Sequence, residues 1–327
     1  MELHEIRNIT IVGAGTMGSG CAQVFAGAGY PVVLQSRTQA TLDKAMAGIR
    51  SDLLFLAERG VGRKEDIDPT IGRITVTQDL EDAVSQADFV LENAAENLEL
   101  KQDLFRRMDQ VVRPETILAT NTSVMSITEI ASKSEGRDRI IGTHWWNPPY
   151  LLPLVEVVRT EDSDQQVIDV TMALMRKIGK RPVFVKKDVP GFVANRLQHA
   201  LFREAISIVE HDIADAATVD EAIKASWAMR LPVLAPMEGM DYGGLDLIFA
   251  IHGYIFKHLE DSHEPSPYLQ EKVEKGELGF KTGGVGFQTW TPEQMKDLRR
   301  NLLDYLARAV ASSADGSTGP NDAPAQV

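Results

Sequence analysis

The sequence predicts an α/β domain built on a mostly parallel sheet, followed by an all-α domain. Three observations carry this. Short β-branched runs alternate with helical or charged segments up to Asp188. Beyond Asp188 apolar residues recur at three- and four-residue steps instead. The chain has 327 residues, 43% of them hydrophobic and 25% charged, long enough for two cores.

The first run, "ITIVGAG", is apolar throughout, as a strand covered on both faces must be. A helix, "TMGSGCAQVFAGA", follows, with Gly29 placed to end it, and "PVVLQ" completes a βαβ unit. Further strands are expected at "ITVT", "DFVLENA", "TILATNTS", "RIIGTHW", "LVEVV" and "PVFVKK". After "DVPG", the residues Val193, Leu197, Leu201, Ala205 and Ile208 form one face of an amphipathic helix. Pro232 and Pro236 break a later helix, and "KTGGVGF" marks a tight loop. The predicted layout is thus residues 1–188, residues 189–311, and a disordered tail over 312–327, where Ser, Gly, Pro and Asp leave almost nothing to bury.

A net charge of −13 provides no basic field for a phosphate backbone, so no nucleic-acid partner is expected. The single cysteine, Cys21, excludes an intramolecular disulfide and supplies no thiolate cluster; no metal is expected. "MELHEIRN" lacks the basic and apolar regions of a signal peptide, and no apolar stretch is long enough to span a bilayer, so a cytoplasmic location is expected, with no membrane contact.

Gly13, Gly15 and Gly18 form G-x-G-x-x-G directly after a strand and at the start of a helix. The first glycine permits the tight turn, the second lets a pyrophosphate approach the backbone, and the third lets helix and strand pack closely. Gly13, Gly15, Thr16, Met17 and Gly18 are therefore the candidate dinucleotide loop. An acid that would accept the ribose 2'-hydroxyl is expected at the end of the second strand, but the chain has Ser36 and Arg37 there. Both can donate to a 2'-phosphate, which points to NADP. The alternative is NAD bound without ribose selection, with Arg37 a solvated charge beside the adenine.

"GTHWWNPPYLLPLVEVV" places His144, Asn147 and Glu156 on and between two strands. A histidine held by a carboxylate can give a proton to a carbonyl oxygen as hydride arrives and take it back in the reverse direction. Singly, these residues have plain structural readings: His144 a satisfied core histidine, Glu156 a strand-end acid, Ser123 an N-cap for "MSITEIA", and Asn195 a polar helix residue.

Together, "GAGTMGSG", "ENAAENLELK", "ATNTSVMSI", "HWWNPPYLLPLVE", "DVPGFVANR" and "KTGGVGF" resemble, in order and spacing, the L-3-hydroxyacyl-CoA dehydrogenase family over about residues 8 to 290. The resemblance implies a Rossmann-type domain before the helical one, and a homodimer. It makes His144 the general acid/base, Glu156 its partner, and Ser123 and Asn195 the residues that bind the reacting oxygen. Glu96, Lys101, Asn147 and Lys281 match positions that contact the dinucleotide.

Departures from the family pattern open a second reading. Ser36 replaces the ribose acid, and Trp145 and Trp146 stand where two phenylalanines are usual. This looks closer to branches acting on free small molecules, such as carnitine dehydrogenase and lambda-crystallin-like hydroxy-acid dehydrogenases. Arg50, Arg59, Arg63 and Lys64 lie in the segment from which the family draws cations for CoA phosphates. The expected function is hydride transfer between a nicotinamide and the 3-hydroxy or 3-keto group of an acyl-CoA. The alternatives are an NADP-dependent enzyme of a free hydroxy acid, ketone or imine, and a dinucleotide-binding structural protein without activity.

Overall fold

The computed structural model describes residues 1–314 of the chain. Every expected run forms a strand: β1 (Ile9–Val12), β2 (Val32–Gln35), β3 (Ile74–Thr77), β4 (Phe89–Glu92), β5 (Ile117–Thr120), β6 (Ile140–Trp145), β7 (Leu154–Val158) and β8 (Arg181–Val185). They join in one sheet of order β3-β2-β1-β4-β5-β6-β7-β8. All neighbours run parallel except β6 and β7, which are antiparallel.

Helices α1 (Thr16–Gly27), α2 (Gln39–Glu58), α3 (Ile67–Ile71), α4 (Leu80–Ser85), α5 (Leu98–Asp109), α6 (Ile127–Ala131) and α7 (Gln165–Lys177) accompany the sheet. Because strand side chains alternate faces, Ile9 and Ile11 join Phe25, Leu34 and Leu42 in one core, while Val12, Val90 and Leu118 join Phe105 in the other. Each such fully buried side chain stabilises the fold by about 2 kcal/mol. Cys21 is fully buried in the first core, and burial raises its thiol well above the usual range, which makes it an inert packing residue.

Strand β1 lies between β2 and β4, so the order in which strands join the sheet reverses there and a crevice opens at the carboxyl ends of the strands. The glycine loop occupies this crevice. Gly13 has a φ of +98°, and a Cβ on it would press into the Asn93 carbonyl at 2.7 Å. A Cβ on Gly18 would overlap the Gly13 carbonyl oxygen.

The chain divides into two compact units, the first comprising Met1–Arg196 with Leu306–Ala311. It reaches past Asp188 because the backbone amides of Val193 and Ala194 bond to Glu156, and the Asn195 side chain bonds to Ser123. The second comprises Leu197–Tyr305 and the described residues from Ser312 onward. The remaining helices are α8 (Ala194–Glu210), α9 (Ala216–Lys224), α10 (Pro236–Gly243), α11 (Leu245–Ile255), α12 (Pro267–Glu274) and α13 (Pro292–Ala314). Pro236 starts α10 at its first turn, where a missing amide hydrogen costs nothing. Helix α13 includes 312–314, the first residues of the expected tail; the rest of the tail lies outside the described residues.

Candidate active site

The site is built from the carboxyl ends of β4, β5 and β6 and the start of α8. His144 and Glu156 face each other across the antiparallel β6–β7 ladder. The imidazole Nδ1 lies 2.8 Å from Glu156 Oε2, and His144 and Glu156 are 5% and 0% exposed. Glu156 Oε1 accepts from the amides of Val193 (2.9 Å) and Ala194 (3.0 Å), at the first turn of α8. Burial alone would raise the Glu156 carboxyl. The hydrogen bonds from His144 and those two amides outweigh it and hold the group below the usual carboxylate range. The carboxylate therefore fixes Nδ1 as the protonated nitrogen, and Nε2 has no partner among the described residues.

Ser123 follows β5. Its amide donates to Glu96 Oε1 at 2.6 Å and its carbonyl accepts from Asn195 Nδ2 at 3.0 Å. Its hydroxyl bonds to no described residue, and the N-cap of α6 is Ser126, whose side chain accepts from the Glu129 amide. The capping alternative for Ser123 is thereby removed, and the hydroxyl is available to a ligand. Glu96 also accepts from Thr122 Oγ1 at 3.0 and 3.1 Å. Lys101 is 1% exposed, and its ammonium lies 2.8 Å from Glu92 and 3.5 Å from Glu96.

Of the two tryptophans, only Trp146 flanks the histidine, with ring centroids 5.5 Å apart. Trp145 is 2% exposed and packs on Phe25 in the core, because successive residues of β6 point to opposite faces. Of the two departures from the usual phenylalanines, only the one at Trp146 therefore changes the surroundings of His144. Phe192 contributes a second ring, 5.6 Å from His144, and holds a left-handed φ of 50°. Asn147 is exposed and precedes a cis bond to Pro148. The loop that follows is pinned from below by Lys180, whose ammonium donates to the carbonyls of Pro149 and Leu152 and is pushed down to about 8 by burial. Lys281 belongs to the second unit, where it lines an apolar cavity of about 770 Å³ with Phe202, Leu278 and Trp290.

At the dinucleotide end, Gly15 caps α1 and a Cβ there would meet nothing within 4 Å, so the space beside it is open for a pyrophosphate. Thr16 begins the helix and Met17 packs against the core below it. Ser36 follows β2 with its amide on Thr77 O, and Arg37 is exposed with no partner among the described residues. This cradle fits a dinucleotide.

Sequence reasoning missed Glu92, Asn93, Asn121 and Phe192. Asn121 accepts from the Trp145 amide and donates to Asn93 Oδ1, both at 2.8 Å, tying β4, β5 and β6 together behind the site. The signal for Glu92 was an acid ending a strand that is otherwise wholly apolar. Among the described residues no helix is long and apolar enough to cross a membrane.

A doubly wound sheet with a glycine cradle and a carboxylate-held histidine defines a nicotinamide-dependent oxidoreductase. Residues 8–189 match the description "3-hydroxyacyl-CoA dehydrogenase, NAD binding domain" and residues 191–290 match "3-hydroxyacyl-CoA dehydrogenase, C-terminal domain". The chain belongs to the 3-hydroxyacyl-CoA dehydrogenase family. It is 35% identical to 5-formyl-3-hydroxy-2-methylpyridine 4-carboxylate 5-dehydrogenase of Mesorhizobium japonicum, over 90% of this chain and 94% of that one. A crystal structure of an enzyme of that name, described as an NAD+-dependent dismutase, superposes with a TM-score of 0.87 at 34% identity, covering 96% of this chain and 100% of the other. The (S)-3-hydroxybutyryl-CoA dehydrogenase of Ralstonia eutropha superposes with a TM-score of 0.74 at 33% identity, covering 88% and 100%.

Proposed function

We propose that this chain interconverts a hydroxyl-bearing carbon and its carbonyl, with His144 as general acid/base. The observation that carries this is the 2.8 Å contact between His144 and Glu156 beside a Ser123 hydroxyl with no partner among the described residues. In the oxidation direction His144 Nε2 takes the hydroxyl proton, and the Glu156 carboxylate stabilises the imidazolium that results. In the reduction direction the same nitrogen returns the proton. Ser123 and Asn195 donate to the oxygen as charge develops on it. The nicotinamide, when bound, accepts or supplies the hydride. Gly13, Gly15, Thr16, Met17 and Gly18 would hold its pyrophosphate, with Glu96, Lys101 and Asn147 expected to contact the dinucleotide or its ribose. An intact acid-base pair with two oxygen-binding residues speaks against a purely structural protein.

Two substrate carriers are compatible with this chemistry. The family name favours the 3-hydroxy or 3-keto group of an acyl-CoA. A free small hydroxy or oxo compound is the reading we adopt, because three of the four cations in the segment from which the family draws its CoA contacts are engaged within the chain. Arg50 pairs with Asp68 at 2.9 Å, Arg63 meets Asp66 through two bonds of 2.9 Å, and Arg59 lies over the Phe55 ring. The larger likeness to the pyridine-carboxylate enzyme points the same way. Absorbance at 340 nm tests it, with acetoacetyl-CoA run against free aromatic aldehydes, keto acids and imines. Rapid oxidation of reduced cofactor by acetoacetyl-CoA would restore the acyl-CoA reading.

The family's domain is an NAD-binding one. For this chain we read Ser36 and the unpaired Arg37 as favouring the 2'-phosphate of NADP. A homodimer is also part of the proposal: Leu245, Phe249, Tyr254 and Phe256, on or next to α11, are 62%, 81%, 74% and 60% exposed, more apolar surface than an isolated subunit carries comfortably. Light scattering coupled to size exclusion tests it.

A further inference from the structure

Behind Ser123 lies a chain of charged groups that takes no part in the proton transfer. Glu92, the last residue of β4, is 0% exposed. Its carboxylate accepts from Lys101 Nζ at 2.8 and 3.0 Å, from Thr120 Oγ1 at 2.7 Å and from the Ala94 amide. Every direction from which it could be hydrated is taken by a donor. Lys101 Nζ in turn reaches Ala94 O at 3.4 Å and Glu96 Oε2 at 3.5 Å. Glu96 grips the Ser123 amide and the Thr122 hydroxyl, and the Ser123 carbonyl receives Asn195. One cation is thus shared between two carboxylates, one on the rigid sheet and one on the active-site turn.

We propose that Glu92 is a positioning residue: by anchoring the Lys101 ammonium to the sheet, it holds the Glu96 carboxylate on the Ser123 amide and so sets the turn that presents the Ser123 hydroxyl. Strand β4 is paired on both sides, which makes Glu92 the fixed end of the chain. Remove its charge and the ammonium keeps only the Ala94 carbonyl and the more distant Glu96 as partners. The ammonium is then no longer fixed to the sheet, and Glu96, whose side chain is 39% exposed, loses the stationary cation that holds it on the Ser123 amide. An ion pair buried this deeply adds little net stability over an apolar pair of the same volume, so stability alone does not account for it. The proposal rests on the reading of Ser123 and Glu96 as site residues.

The test uses the full chain labelled with [15N]serine and follows the Ser123 amide, whose proton is shifted downfield by the short bond to Glu96. Binding of NADH and NADPH is followed in parallel by fluorescence. Glu92→Gln is expected to move that resonance upfield as far as Glu96→Ala does, and to weaken the preferred reduced cofactor about tenfold, as loss of a charge-assisted hydrogen bond would. If Glu92→Gln does not fold, the double variant Glu92→Gln/Lys101→Met removes the pair without stranding a charge and is expected to give the same shift. A Ser123 resonance at its wild-type position in the folded variant overturns the proposal. If Glu96→Ala leaves cofactor binding unchanged, the placement of Glu96 at the cofactor fails, and the proposal with it.

Discussion

His144 and Glu156 are separated by twelve residues in sequence yet sit directly opposite one another on β6 and β7, their side chains 2.8 Å apart. The antiparallel step in an otherwise parallel sheet brings the pair together. A parallel connection would have carried Glu156 to a distant register.

Replacement of His144 removes the only proton carrier assigned to the reacting oxygen. His144→Ala is expected to lower turnover by about 1000-fold, within the range for loss of a general acid/base, while leaving cofactor binding intact. Retention of most of the rate would remove His144 from that role. Steady-state kinetics on the best substrate and fluorescence titration of NADH decide between them.

Glu156 is held below the usual carboxylate range in the folded protein. A depressed carboxyl contributes stability that is present above its unfolded value and is lost as pH falls through the folded one. Glu156→Gln should therefore cost about 2 kcal/mol near neutral pH. The gap to the wild type should narrow as pH is lowered through the carboxylate range of about 4 and below. Thermal melts of both proteins across that range provide the check; a gap independent of pH would mean the carboxylate is not the species that matters.

Arg37 follows β2, is exposed and has no partner among the described residues, and we have proposed it for the ribose end of the cradle. Arg37→Asp is expected to weaken NADPH by about 10- to 100-fold through loss of a charge-assisted bond and gain of repulsion. NADH should change little. Equal losses for the two cofactors would take Arg37 out of the phosphate site.

The three glycines of the loop should separate by experiment. Gly18→Ala drives a methyl into the Gly13 carbonyl and is expected to cost about 3 kcal/mol of stability. Gly15→Ala meets open space, so the melting temperature should hold while cofactor affinity falls about tenfold as the backbone becomes less approachable. If Gly15→Ala binds normally, the pyrophosphate does not lie where the loop places it.

Much of this was legible in the sequence because it follows from local rules. Apolar runs gave the strands of the sheet, and the glycine spacing placed the cradle at the switch point between β1, β2 and β4. The strand runs placed His144 and Glu156 on β6 and β7, but their pairing was read from the family resemblance rather than from a local rule. What could not be read depends on chain segments far apart. Glu92 and Lys101 meet across nine residues and a turn, and Asn121 is defined by its contact to the Trp145 amide. Trp145 and Trp146 look equivalent in sequence; only the pleat of β6 sends one into the core and leaves the other beside His144. The cations of the α2–α3 segment could be counted but their acidic partners could not be assigned until Asp66 and Asp68 were placed.

The hairpin formed by β6 and β7 also divides labour along the chain. Its two rails hold His144 opposite Glu156 in fixed register, while the connecting stretch from Asn147 to Pro153 is fastened separately, by Lys180 on the Pro149 and Leu152 carbonyls and by the buried Leu151. Pairing of the two side chains and shape of the connector are thus secured by separate sets of contacts.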